Sequence, residues 1–277
     1  MSAPELTALT AKLLQRFPPT AKTFLASVRE RSRREVVRER AIAAVFGFFC
    51  HSIFAVAVGA MIVSMGFGMA LGLGPFSGWA AVVANTLLIM QFTLGHSWLL
   101  SKSGRALLER LAPKGTGKTL MATTYGLVVS VQLLALYALW SPSGVVWFQA
   151  EGGWLIGILV AYACAWALLG LSIWNGGFEL QSGLLGWLAL WRGTKPQYPD
   201  MPTRGTFRII RQPIYFSFAL TPWLVPVWTP DQLGIAIALT AYCVIAPMNK
   251  EKRFAKTFGE RWERYRARTP YFIPFWK

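Results

Sequence analysis

The residues of this 277-residue chain that could do chemistry gather near its carboxyl end. Residues 204–215 read Arg-Gly-Thr-Phe-Arg-Ile-Ile-Arg-Gln-Pro-Ile-Tyr, so Arg211, Gln212, Pro213 and Tyr215 stand where an apolar run begins. Glu251 and Arg253 follow directly on the last apolar run, with Phe258, Gly259, Trp262 and Tyr265 beyond them. A carboxylate and arginines at one boundary can grip a charged ligand, since a guanidinium takes a carboxylate in bidentate fashion. A charged helix exit at a lipid surface would carry the same residues. Two histidines, His51 and His96, lie in apolar runs. Such a pair can ligate haem iron, whereas a lone histidine of this kind is equally a hydrogen-bonded packing residue. Two histidines exclude a multi-histidine zinc site. Cys50, Cys164 and Cys243 are too scattered for a disulfide framework or a CxxC metal site, so no metal is expected. The stretch Ala112-Pro-Lys-Gly-Thr-Gly-Lys-Thr119 nearly spells a P-loop, but its first glycine is Ala112 and it lacks the strand before and helix after that the motif needs. It reads as a basic, flexible loop.

The elements that must position these groups follow from composition. The chain is 54% hydrophobic and 14% charged, with mean hydropathy +0.41 and thirteen Trp, against roughly 25% charged residues in soluble domains. An ordinary soluble enzyme and a disordered chain are both excluded. Apolar runs free of Lys, Arg, Asp and Glu occupy about 41–73, 78–100, 120–140, 153–174, 214–228 and 232–248. A bilayer crossing needs roughly 20 apolar residues. The last two runs are short and meet at Thr229-Pro230-Asp231, which predicts a tight helical hairpin. All 28 Lys and Arg fall in residues 1–40, 101–119, 175–213 and 249–277, that is, in alternate connections. The fold class is therefore an all-α polytopic membrane protein of about six transmembrane helices. The positive-inside rule puts both termini in the cytoplasm, in an inner (cytoplasmic) membrane protein. The +16 net charge is topology and attraction to anionic membrane lipids, and no nucleic-acid partner is expected.

Two segments are set apart from the bundle. Residues 1–40 form a basic arm in which Leu6, Leu9, Leu13 and Phe17 recur at helical spacing opposite Lys12 and Arg16, after a Ser2-x-x-Glu5 capping box. It is either a surface-lying amphipathic anchor or a packing helix. Residues 41–277 form the transmembrane domain, which closes in a cytoplasmic carboxyl-terminal helix over 249–277.

The approach and tail motifs resemble the integral-membrane methyltransferases that include isoprenylcysteine carboxyl methyltransferase and phospholipid N-methyltransferases. That family has an Arg-His-Pro-x-Tyr-x-Gly approach and a Glu-Glu tail followed by Phe-Gly and two tyrosines, matched here at Arg211, Pro213, Tyr215, Glu251, Phe254, Phe258, Gly259, Tyr265 and Pro274. His96-Ser97, Ser141–Trp147 and Gly177-Phe-Glu179-Leu180 extend the likeness, over roughly 80–277, toward bacterial methanethiol S-methyltransferases and their denitrification-associated relatives. Departures are Gln212 for the motif histidine, Ser217 for glycine, Lys250 for the first glutamate, Trp262 for the first tyrosine and Gly177 for a histidine. The resemblance implies methyl transfer from S-adenosylmethionine to a small thiol or lipophilic acceptor. It implies cofactor contacts from Arg211, Gln212, Pro213, Tyr215, Glu251, Arg253 and Tyr265, and catalytic roles for His96, Glu179 and Arg211. A haem-binding membrane isomerase and a non-enzymatic membrane assembly protein are the rival expectations.

Overall fold

The structure is a computed structural model that describes the backbone of residues 19–274 and the side chains of residues 33–274. The amphipathic stretch expected over Leu6–Phe17 lies outside the described residues. Helix α1 (Pro19–Gly66) carries the basic stretch and the first apolar run without interruption over 48 residues, about 72 Å at 1.5 Å per residue. The apolar run expected over 41–73 is not helical to its end. The helix stops at Gly66, and Gly68 (φ 63°) starts a turn with Met69 (φ 64°) in the left-handed region.

Helices α2 (Gly78–Leu99), α4 (Gly117–Ala138) and α5 (Gly152–Asn175) follow. Between α2 and α4, the basic connection 101–119 holds the helix α3 (Lys102–Leu111), and the loop expected over 112–119 is helical from Gly117, where α4 begins. Ser101 caps it, accepting from the Gly104 amide at 3.1 Å. The connection from α3 to α4 is a short turn in which a Cβ on Gly117 would strike the Glu109 carbonyl. Short helices α6 (Phe178–Gln181) and α7 (Leu184–Arg192) precede a 3₁₀ turn at Gly205–Arg208, then α8 (Pro213–Leu220), α9 (Pro230–Phe258) and α10 (Glu260–Arg268).

Among the described residues five helices are long and apolar enough to cross a membrane: the Arg33–Gly66 part of α1, with α2, α4, α5 and α9. The run 214–228 differs from the helical hairpin arm expected of it. Its helix α8 has eight residues, about 12 Å, too short to span a bilayer. Pro222 and Pro226 explain the break, since neither can donate to a helical ladder. The chain still passes from one end of the bundle to the other, through turns and a two-residue strand β2 (Val227–Trp228) paired antiparallel with β1 (Phe148–Gln149). Its carbonyls are satisfied by neighbours: Gln232 Nε2 donates to Pro222 O at 2.6 Å, the Ala150 amide to Pro226 O at 2.9 Å and the Trp147 amide to Trp228 O at 2.9 Å. Irregular backbone at membrane depth requires such partners.

The hairpin turn at 229–231 is as expected. Thr229 caps α9 by accepting from the Gln232 amide at 2.9 Å, and Pro230 occupies the first turn. The core packs Met61 and Met65 of α1 against Leu133, Leu136 and Tyr137 of α4 and Ile235 and Leu239 of α9. One end of the bundle gathers the turn after α1, the β1–β2 pair and the start of α9. The other end gathers α3, α7, the 3₁₀ turn and α10, where the basic residues are concentrated.

Candidate functional site

Two constructions meet at the basic end. The first is a buried knot. Arg211 sits between the 3₁₀ turn and α8, its amide fixed by Pro270 O at 2.8 Å. Its Nε and Nη2 donate to the Glu251 carboxylate at 2.9 and 3.3 Å, while Nη1 donates to Thr269 O at 2.6 Å and Arg266 O at 3.2 Å. Gln212 Nε2 adds a bond to Glu251 Oε1 at 2.8 Å. Trp262 and Tyr271 rings lie 6.0 and 5.5 Å from the guanidinium. Side-chain exposure is 11% for Arg211 and 15% for Glu251, so each charge depends on the other. Lys250, at the position where the resemblance expects the first glutamate of the pair, points among the Phe207, Tyr215 and Phe254 rings and donates to Gln212 Oε1 at 3.4 Å. Tyr265 donates its hydroxyl to Phe207 O at 2.6 Å, and burial pushes that hydroxyl well above its usual range. Tyr271 is pushed up to about 12, by burial first and the Glu251 charge second, against the pull of Arg211. Both phenols are neutral donors at physiological pH. The knot ties α8, α9 and the tail into one unit.

The second construction is a cavity of about 500 Å³ beside the knot, within the size range of small-molecule sites. His96, Ser97 and Leu100 line it from α2, Tyr215 from α8, and Tyr242, Asn249 and Arg253 from α9. Lys102 and Arg105 of α3 and Lys252 of α9 complete a basic rim, and among the described residues no carboxylate lines it. His96 is fixed by α4, its Nε2 sharing a hydrogen bond with the Tyr125 hydroxyl at 2.8 Å. Its ring also packs edge-on against Tyr242 at 6.0 Å.

The structure therefore divides the residues singled out in the sequence. His96, Tyr215 and Arg253 share the cavity. Arg211, Gln212 and Glu251 form the knot, Pro213 is buried in the first turn of α8, and Tyr265 holds the 3₁₀ turn. Glu179 is exposed on α6 and does not line the cavity. The two histidines have separate partners: His51 Nε2 accepts from Trp187 Nε1 at 3.0 Å, and His96 Nε2 is taken by Tyr125. Among the described residues no group of three or more His, Cys, Asp and Glu could hold a metal ion. Sequence reasoning missed Tyr242, Asn249, Lys252 and the α3 cations. Tyr242, Ala246, Asn249 and Arg253 fall at i, i+4, i+7 and i+11, one face of a helix, and that spacing could have found them.

The chain is 28% identical over 204 residues to the methanethiol S-methyltransferase of Pseudomonas sp. (strain GM41(2012)), covering 73% of this chain and 76% of the relative. It is 29% identical over 202 residues to methanethiol S-methyltransferase 2 of Bradyrhizobium diazoefficiens, covering 70% and 73%. It is 26% identical over 197 residues to the methanethiol S-methyltransferase of Mycobacterium tuberculosis, covering 70% and 79%. No family model matches the chain, and no solved structure does. The resemblance carried by the approach and tail motifs is borne out, and the chain is similar to methyltransferases over most of its length.

Proposed function

We propose that this protein transfers a methyl group from S-adenosylmethionine to a small thiol, in the cavity at the basic and hence cytoplasmic end of the bundle. The observation that carries this reading is the cavity itself. It joins aromatic hydroxyl residues to cations that have no ion-pair partner among the described residues, directly beside the knot, in a chain similar to methanethiol S-methyltransferases. The lining fits the donor. Arg253 offers a guanidinium to an amino-acid carboxylate and Asn249 a neutral amide, while the rings of Tyr215 and Tyr242 suit a sulfonium. When bound, S-adenosylmethionine supplies an electrophilic methyl carbon on a good leaving group.

The remaining work belongs to this chain's residues. Methyl displacement needs alignment at near-attack distance and little covalent help. The knot supplies alignment by fixing α8, and thus Tyr215, against the α9 face that carries Tyr242 and Arg253. His96, held by Tyr125, packs against Phe92 and Tyr242 and shapes the acceptor end. Apolar acceptor reaches the cavity from the lipid, whereas the donor enters from water.

Calorimetric binding of S-adenosylmethionine to the detergent-purified protein tests the donor, and head-space detection of the methyl thioether tests the acceptor. Saturable binding lost in Arg253→Ala, with thioether formed from methanethiol, is the expected result. Absence of binding by a folded protein would sink the reading.

A further inference from the structure

The charge of the cavity does not match the donor alone. Lys102, Arg105, Lys252 and Arg253 line it and, among the described residues, no Asp or Glu does. Among the described residues Lys102, Lys252 and Arg253 have neither a hydrogen bond nor an ion pair, and Arg105 spends only Nε, on Leu100 O at 3.2 Å. The neighbouring carboxylates are elsewhere: Glu251 is committed to Arg211 and Gln212, and Glu109, one turn along α3, does not line the cavity. Lys250 turns to its aromatic box and adds no negative charge. S-adenosylmethionine brings a sulfonium, an ammonium and one carboxylate, a net positive charge. It would leave the surplus of cations uncompensated.

We propose that the acceptor is bound and reacts as an anion, its thiol ionised by the field of Lys102, Arg105 and Lys252, the cations left over once Arg253 takes the donor's carboxylate, rather than by a side-chain base. This rests on the thiol reading above. A positive charge close to a thiol favours the thiolate, the reactive form. The imidazole at the cavity is held away from water: His96 Nε2 is bonded to Tyr125, and its Nδ1 is buried without a partner, so H96Q separates a base from the field. The thiol proton leaves to bulk water through the cavity mouth. A lone pair of the thiolate sulfur then forms the new S–C bond as the methyl–sulfonium bond breaks, its electron pair remaining on the departing sulfur. Thiolate and sulfonium charges cancel, giving a neutral methyl thioether and S-adenosylhomocysteine.

The test uses the full chain in nanodiscs with S-adenosylhomocysteine present and methanethiol as probe. Calorimetry in two buffers of different ionisation enthalpy counts protons released on thiol binding at neutral pH. About one proton per thiol is expected, and raising salt reduces it because exposed cations are screened. In R105Q/K252Q the release falls and the acid limb of kcat, which reports the bound thiol, moves up by about one pH unit, with K252Q alone moving it by about half as much. H96Q leaves the position of that limb in place. Methylation without proton release, or release lost in H96Q but kept in R105Q/K252Q, would overturn the field mechanism while leaving the thiol reading intact. Failure of any thiol to bind or be methylated would remove both.

Discussion

Asp231, in the first turn of α9, and Glu251, two turns before its end, are both partly buried carboxylates with three or more hydrogen bonds, yet they are held in opposite ways. Asp231 accepts only from neutral donors: Trp140 Nε1 at 3.1 Å, the Ser143 amide at 2.9 Å and the Ser143 hydroxyl at 2.5 Å. Its charge is also favoured by the helix N-terminus beneath it. Glu251 shares its charge with Arg211 and stands where the helix dipole helps cations. One end of α9 is thus clasped and the other is charge-locked. Removing a clasp loses hydrogen bonds, whereas removing half of a lock strands an ion. The contrast also separates four consecutive charges by task, since Lys250 and Glu251 serve the lock while Lys252 and Arg253 face the cavity with no ion-pair partner among the described residues.

The largest expected effect tests the lock. Glu251→Ala leaves Arg211 buried without its partner and costs about 3–5 kcal/mol, seen as a large fall in the melting temperature or loss of folded protein. Asp231→Ala follows at about 1–2 kcal/mol, and a thermal melt showing the two variants equal would erase the distinction between the ends. Tyr265→Phe removes only the hydroxyl bond to Phe207 O and is expected to lower stability by about 1 kcal/mol in the same assay. Arg253→Ala comes last in stability, within about 0.5 kcal/mol of the parent, because no partner is stranded. It should nonetheless lose at least tenfold in S-adenosylmethionine affinity by calorimetry, an effect of about 1.4 kcal/mol. An Arg253 variant that melts early but binds normally would mean that the cation belongs to the lock.

The placement of Lys and Arg made the membrane crossings legible, because each basic connection returns to the same end. Thr229-Pro230-Asp231 was legible for a similar reason, since a cap and a first-turn proline act locally. What escaped was set by partners distant in sequence. Nothing near Arg211 announces that its guanidinium is consumed by Glu251, 40 residues on, and by the Arg266 and Thr269 carbonyls. The α3 helix was hidden because its ten residues are too polar to read as a span, although Ser101 and Gly104 mark its start. The run 214–228 looked like a helix arm because it is apolar throughout. Pro222 and Pro226 decide otherwise, and Gln232 and the β1 strand make the irregular path tolerable.

That irregular path has a consequence for how the protein is made. An eight-residue helix followed by two prolines does not satisfy its own backbone in lipid, so the segment from Pro213 to Thr229 does not enter the bilayer as an independent unit. Its carbonyls are met by Gln232 on the next helix and by Ala150 and Trp147 from the connection between α4 and α5. Insertion of this crossing therefore waits for the arrival of α9. The two pass into the membrane as a pair, so the cavity wall and the lock are assembled together.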